Sequence, residues 1–102
     1  MIKIIDGRRY NTKTAEHITG VSQGASGDFA YQTEDLYRTP RGAWFIHGSG
    51  GPASSYARPV GNMRTGGSDI RLLTETEALA WLEAHEELDA IERYFSECIT
   101  DA

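Results

Sequence analysis

The sequence predicts one α+β domain: a small antiparallel sheet built on a central hairpin, with a short N-terminal helix and a C-terminal helical segment. Three observations predict this class. Two apolar-aromatic stretches, 36–39 and 43–47, flank a Pro-Arg-Gly turn. Asp6-Gly7 separates two further strand-like stretches. Thr74-Glu75-Thr76-Glu77 has the capping-box pattern and opens a stripe of apolar residues at helical spacing.

The central hairpin is indicated by its residue types and by its turn. Both stretches carry the aromatic and β-branched residues that suit a pleated, half-buried surface. Pro40 presets φ for a turn, and Gly42 can adopt the positive φ that closes it. Neither face of the pair is purely polar, so we expect the hairpin to lie in the middle of a sheet with a helix over one side.

The N-terminal region predicts a hairpin followed by a helix. A two-residue Asp-Gly connection is a strong signal for a tight hairpin between residues 2–5 and 8–10. A helix of two or three turns is expected next, ending at Gly20 or within residues 22–27. Its candidate capping residues are Asn11, Thr12 and Thr14, and its apolar stripe is Ala15, Ile18 and Val21.

The C-terminal third predicts one more strand and then helix. Residues 70–73 read as a strand that pairs with the hairpin, and the capping box starts a helix at Thr74. Its stripe is Ala78, Leu79, Trp81, Leu82 and Ala84; Leu88, Ile91, Tyr94 and Phe95 repeat at the same spacing. Whether these form one helix or two is open at this point.

Composition narrows the class of protein. A chain of 102 residues accommodates one core, so we expect residues 1–102 to form a single domain. Cys98 is the only cysteine, which excludes an intrachain disulfide and favours a reducing compartment. There is no apolar run of roughly 18 residues and no signal-peptide core in the first residues. We therefore expect a cytoplasmic protein with no membrane partner.

Charge is divided along the chain. Residues 1–68 hold eight Lys/Arg against five Asp/Glu, and residues 69–102 hold two against ten. The acidic end predicts either a solvated helix face or a surface that docks on a basic partner. In the second case the contact residues are Glu83, Glu86, Glu87, Asp89 and Glu92, with Tyr37, Arg38, Trp44 and Tyr56 contributing from the hairpin and the following loop.

Catalytic and metal-binding patterns are weak. His47-Gly48-Ser49-Gly50-Gly51 departs from the Gly-x-Ser-x-Gly elbow because His47 occupies the first glycine position. These glycines could instead present N–H groups to an anion beside Arg58 or Arg64. The three histidines are too widely spaced to form a local metal motif with Cys98. We therefore expect no enzyme activity, no cofactor and no metal.

Nucleic-acid binding is the second interpretation. Basic residues of the first two thirds, interleaved with Tyr10, Tyr37 and Tyr56, could form a basic aromatic face. The positive excess there is only three charges, and the acidic end would repel phosphates. Direct binding to nucleic acid is therefore the alternative and not the first choice.

A resemblance covers nearly the whole chain. It is carried by residues 36–39 (LYRT), 42–45 (GAWF), 48–52 (GSGGP), 55–57 (SYA), 73–74 (LT), 77–78 (EA) and 81–83 (WLE), and it extends to residues 5–12 (IDGRRYNT) and 14–15 (TA). These motifs resemble a family of small proteins of bacteriophages and other bacterial mobile elements. No activity comes with the family, so no residue inherits a catalytic role. The resemblance implies a task in the conflict between phage and host.

The function expected from all of this is non-enzymatic. By analogy with anti-CRISPR proteins, which bind and block an effector complex, we expect an inhibitor of a bacterial defence complex that acts through protein contacts in the host cytoplasm. The alternatives are a nucleic-acid-associated regulator that uses the basic N-terminal face and a small ligand-binding protein at the glycine-rich loop.

Overall fold

The fold is an antiparallel sheet with two β-ribbons and two helices around it. The computed structural model describes residues 1–25 and 27–102. Its strands are β1 (Ile2–Ile5), β2 (Arg8–Asn11), β3 (Glu16–Gln23), β4 (Gln32–Arg38), β5 (Trp44–Gly50), β6 (Arg58–Val60), β7 (Met63–Thr65) and β8 (Gly67–Leu73). Its helices are α1 (Glu75–Ala84) and α2 (Leu88–Phe95), and a 3₁₀ turn follows at Ser96–Cys98. None of the described helices is long and apolar enough to cross a membrane.

The central hairpin is confirmed. The main sheet has the order β3-β4-β5-β8, so the β4–β5 hairpin occupies its two inner positions. Gly42 has a φ of 89°, and its N–H donates to the Thr39 carbonyl at 2.8 Å to close the turn. The predicted strand at 70–73 is part of β8 and pairs with β5, with Leu73 opposite Trp44.

The two ribbons are short hairpins outside this sheet. β1 pairs with β2 and β6 pairs with β7. In the first ribbon Asp6 and Gly7 have φ values of 51° and 76°, the two positive values that a type I′ turn needs. The predicted N-terminal hairpin is therefore confirmed.

The predicted N-terminal helix is wrong, because residues 16–23 form β3. Ile18, Thr19 and Val21 are β-branched and fit a strand, and a helix of two turns would have gained little from local propensity. Pairing along the whole of β4 supplies the backbone hydrogen bonds instead. Asn11, expected as a helix cap, accepts the Lys13 N–H at 2.9 Å in a turn. Ser26, within the predicted helix stop, lies outside the described residues.

One face of the sheet packs on the helices. Leu36, Trp44, Ile46 and Leu73 point from the sheet toward Ala78, Leu82 and Phe95 of the helices. Fully burying one such side chain contributes about 2 kcal/mol. This core fixes where the helices lie over the Trp44 end of the sheet, and it leaves the Gly50 end to be covered by another segment.

The opposite face packs on the first ribbon. Phe45 and Ile70 are buried there with Tyr10 of β2, whose ring meets Phe45 edge-on at a centroid distance of 5.9 Å. Lys3 of β1 donates to the Asp69 carboxylate at 2.7 Å, which ties the ribbon to β8. The sheet is therefore sandwiched between the first ribbon and the helices.

The C-terminal segment consists of two helices. The capping box is present: the Glu77 N–H donates to the Thr74 hydroxyl at 3.1 Å, and the Thr74 N–H donates to the Glu77 carboxylate at 2.9 Å. Glu86 has a φ of 55°, which no helical residue can adopt, so α1 ends before it and α2 begins beyond it. This settles the question that the sequence left open.

We expect Thr74→Ala to lower the free energy of unfolding by about 1 kcal/mol, because the first turn of α1 loses its capping oxygen. Urea denaturation followed by circular dichroism measures this. Thr76→Ala is the matched control, since Thr76 lies exposed in the same turn and has no capping role. An equal loss in both variants would contradict the assignment.

The Lys3–Asp69 ion pair predicts a loss of stability in acid. The hydrogen bond from Lys3 lowers the pKa of Asp69 below its usual 3.8, and the Ile70 N–H acts in the same direction. A carboxyl whose pKa falls on folding stabilises the fold above its unfolded pKa and stops doing so as pH falls through the folded value. We expect Asp69→Asn to lower the urea midpoint near neutral pH, and to lower it by less at about pH 3, where the carboxylate begins to take up its proton. A constant difference at both pH values would contradict the ion pair.

Candidate functional site

The loop of residues 51–57, which follows the glycine-rich stretch 48–51, covers the Gly50 end of the sheet. Gly48 and Gly50 are two residues apart in β5 and therefore face the same side. A side chain at Gly48 would overlap the Tyr56 ring, and one at Gly50 would overlap Ser54. The absence of side chains at these positions thus allows the loop to lie directly on the strand.

Glu34 joins the loop, the sheet and α1. Its side chain is 13% exposed. The Tyr56 hydroxyl donates to one carboxylate oxygen, which Arg71 also approaches at 3.5 Å. Trp81 of α1 donates its indole N–H to the other oxygen at 3.5 Å. One carboxylate therefore holds three elements that are distant in sequence.

The Glu34 network does not favour acid-base chemistry. Burial is the main cause that raises the pKa of the Tyr56 hydroxyl, and the hydrogen bond to Glu34 raises it further. The phenol therefore keeps its proton at neutral pH and acts as a donor to the carboxylate. These contacts hold the loop against the sheet and α1.

The backbone of the loop is already bonded. The N–H groups of Gly51 and Ala53 donate to the Tyr31 and Phe29 carbonyls at 2.9 and 2.7 Å. Ser55 donates its N–H to the Gln32 side chain at 3.0 Å, and Tyr56 donates its own to the Ser54 hydroxyl at 3.2 Å. An anion nest requires free N–H groups that converge on one point. The loop does not offer them, and Gly48 and Gly50 lie in β5, which is paired on both sides. Both observations argue against an anion site at residues 48–51.

A polar groove runs beside the loop. It has a volume of about 810 Å³ and is lined by side chains from β3, β4, β6, β8 and the loop, among them Gln23, Gln32, Glu34, Arg58 and Arg71. The two guanidinium groups face two carboxylates, because Asp69 also lines it. Arg58 uses one N–H to bind the Ser68 carbonyl at 2.8 Å. The groove is therefore close to charge balance and has no strong preference for an anion.

Trp44, predicted to contact a partner, is a core residue. It is 3% exposed, stacks on Phe95 at a centroid distance of 5.3 Å and meets Tyr94 edge-on at 5.5 Å. Arg38 lies over its ring at 5.3 Å in a cation–π contact. The prediction of Trp44 as a surface contact is wrong, because its large apolar area is what anchors α2 to the sheet.

The other predicted hairpin and loop contacts do not share one surface. Tyr37 stacks on Phe45 at 5.1 Å on the ribbon side of the sheet, while Arg38 and Tyr56 lie on the helix side. Burial, followed by the nearby Asp35 charge, raises the pKa of Tyr37. These three residues are half-buried packing groups.

The predicted acidic residues do form a continuous segment at the junction of the helices. Glu83 lies in the last turn of α1, Glu86 lies in the connecting turn, Glu87 is the N-cap residue of α2, and Asp89 and Glu92 lie in α2. Four are exposed and Glu87 is half-buried. Within the described residues none of the five makes an ion pair with a cationic side chain. We call these five residues the acidic surface.

An exposed apolar side chain lies in the middle of the acidic surface. Leu88 is 63% exposed although it is the first residue of α2. The sequence assigned Leu88 to a buried stripe, and no local signal would have shown otherwise. Leu88 thus adds an exposed apolar side chain between Glu87 and Asp89 of the acidic surface.

The remaining reactive side chains do not assemble into a site. His17 lies 2.9 Å from Asp35, and no group of three metal-ligating side chains occurs in the described part of the chain. Cys98 is exposed in the 3₁₀ turn because the chain leaves the core after Phe95. Neither residue adjoins the acidic surface in sequence.

A second groove is lined by basic residues. Arg8, Arg9 and Arg41 line a groove of about 450 Å³ between the first ribbon and the hairpin turn. Tyr10, expected to offer its ring to nucleic acid, is 6% exposed and packs on Phe45. The groove therefore has positive charge but lacks an aromatic platform for base stacking.

No protein-family model, curated protein or solved structure matches this chain.

We expect Gly48→Ala to lower the free energy of unfolding by about 2 kcal/mol, the usual cost of forcing extra volume into a packed site. The added methyl group displaces the Tyr56 ring from Glu34. Urea denaturation of a double-mutant cycle with Tyr56→Ala measures the coupling. If the ring causes the clash, Gly48→Ala costs much less in the Tyr56→Ala background; an unchanged cost would contradict the packing.

Proposed function

We propose that this protein is a non-enzymatic inhibitor, made by a phage or another mobile element, that binds and blocks a bacterial defence complex. The acidic surface around Leu88 is the observation that carries the proposal. Its five carboxylates are unpaired within the described residues, so a basic partner can be attracted without first breaking internal ion pairs. Defence effectors that hold nucleic acid have basic surfaces of this kind.

The contact has a simple physical logic. Carboxylates steer a positively charged partner toward the surface and speed association. Leu88 then supplies apolar area at the centre, where water is excluded and binding energy is concentrated. Occupying a nucleic-acid-binding surface would inhibit the effector by competition and would require no catalytic residue.

We expect the triple variant Glu86→Lys, Asp89→Lys, Glu92→Lys to lose the partner while the fold is retained. These side chains are exposed and lie in no described ion pair, so the reversal has little to break inside the protein. The measurement is a tagged pull-down from nuclease-treated lysate of bacteria that express defence systems, with mass spectrometry of retained proteins. Inhibition is then assayed on the captured effector with its own nucleic-acid substrate.

The matched control reverses three exposed carboxylates outside the acidic surface, Glu75, Glu97 and Asp101, so that both variants have the same net charge. Capture by the control and not by the triple variant supports the proposal. Equal capture by both variants would show that the acidic surface is not the binding site. Capture without inhibition would contradict the inhibitor function.

A nucleic-acid-associated regulator is the second candidate. The groove lined by Arg8, Arg9 and Arg41 is the observation that favours it. Such binding would weaken steeply with salt because each phosphate contact releases counterions. Fluorescence anisotropy with single-stranded and duplex DNA at low salt tests it, and a flat titration of both would end this candidate.

A further inference from the structure

Strand β3 lies at one edge of the sheet and is paired on one side only. It bonds to β4, and the strand order β3-β4-β5-β8 places no described strand on its other side. No described side chain donates to or accepts from the backbone of residues 16–23 across that side. The outward N–H and C=O groups of β3 are therefore a row of unused donors and acceptors.

The other edge of the same sheet is protected. Arg58 donates to the Ser68 carbonyl at 2.8 Å, and Lys3 donates to the Ile70 carbonyl at 3.4 Å. These two carbonyls are two residues apart in β8 and so point the same way. Two basic side chains thus occupy the edge of β8, whereas β3 has no equivalent.

Features that protect an edge strand from pairing with another strand occur only at the start of β3. Glu16 accepts a hydrogen bond from the Tyr94 hydroxyl at 2.6 Å, and the pairing with β4 is interrupted by a bulge between His17 and Thr19. From Thr19 to Gln23 the register is regular, and the stretch contains neither proline nor a charged residue. Natural edge strands usually carry such protective features, so this stretch is open to a further strand.

A groove with negative charge adjoins the start of this open stretch. It has a volume of about 270 Å³ and lies between β3 and α2, with Thr19, Tyr94, Glu87 and Asp89 in its lining. Arg93 also lines it but lies 3.8 Å from Glu16, and His17 is paired with Asp35. The unpaired charge that faces the groove is therefore that of Glu87 and Asp89, two members of the acidic surface.

We propose that an extended, basic segment of the partner adds to β3 as a fifth strand and places lysine or arginine side chains beside Glu87 and Asp89. This inference rests on the proposed function and names how the partner binds. Backbone hydrogen bonds along Thr19–Gln23 supply affinity that does not depend on sequence, and the carboxylates select for positive charge. Both features belong to one continuous site.

The probe is a blocked ten-residue peptide that alternates lysine with valine, titrated into the full-length protein and followed by NMR. Alternate amides between Thr19 and Gln23, which exchange quickly in the free protein, become protected from hydrogen exchange when the peptide is bound. An otherwise identical peptide, N-methylated at every second residue along one edge, binds at least about tenfold more weakly. Each N-methyl group removes one backbone hydrogen bond to β3 and its contribution to the binding free energy. No protection at millimolar peptide would overturn the proposal.

Charge selection is tested on the same probe. Glu87→Gln with Asp89→Asn weakens binding about fivefold or more, while the control Glu75→Gln leaves it unchanged. A peptide with glutamate in place of lysine binds more weakly than the lysine peptide, because its carboxylates repel Glu87 and Asp89. Equal binding by both peptides would overturn the assignment of a basic segment.

Two further outcomes separate this inference from the proposed function. If the acidic surface is needed for capture from lysate but the N-methylated peptide binds as well as the parent, strand addition is wrong and the proposed function stands. If the free protein is dimeric in sedimentation, with the Thr19–Gln23 amides already protected, the edge serves a second copy of this chain and the inference is overturned.

Discussion

The carboxylate of Glu34 is the contact on which the loop, the sheet and the first helix depend. A buried charge is costly unless its environment satisfies it, and here a phenol, an indole and a guanidinium do so from three different parts of the chain. Removing one donor leaves the charge short of partners, so the three elements are coupled. The bare strand positions Gly48 and Gly50 follow from this contact, because the loop reaches Glu34 only by lying directly on the strand.

Local signals in the sequence predicted well, and long-range ones did not. The Asp6-Gly7 turn, the Gly42 turn and the Thr74 capping box each involve residues within a few positions of one another, and all three are present. The helix predicted for residues 16–23 is wrong because strand formation depends on a partner strand elsewhere in the chain. Pairing with β4 outweighed the weak helical stripe. Tyr56 and Trp81, which donate to Glu34, lie 22 and 47 residues away from it in the sequence. No local pattern could therefore predict the role of Glu34. One clue existed: glycines alternate at 48 and 50, opposite small and aromatic residues that alternate at 54 and 56.

In the candidate site too, the local feature could be predicted from the sequence and the long-range features could not. The acidic surface could be predicted as a set, because five carboxylates fall within ten consecutive positions at a helix junction. The exposure of Leu88 and the burial of Trp44 could not, since both depend on where the chain turns and what α2 packs against. The sheet separates the arginine-lined groove by the first ribbon from the helices on its other face. A charged partner would therefore approach one face in preference to the other.

Having one open and one covered edge limits how the molecule can assemble. Growth of a sheet from copy to copy needs two free edges in each copy, one to receive and one to offer. In this protein Lys3 and Arg58 occupy the carbonyls of β8, so a strand added at β3 ends the array. Two copies that met through β3 would close on each other and leave no second open edge in the main sheet. Growth of that sheet from copy to copy would therefore stop at the dimer.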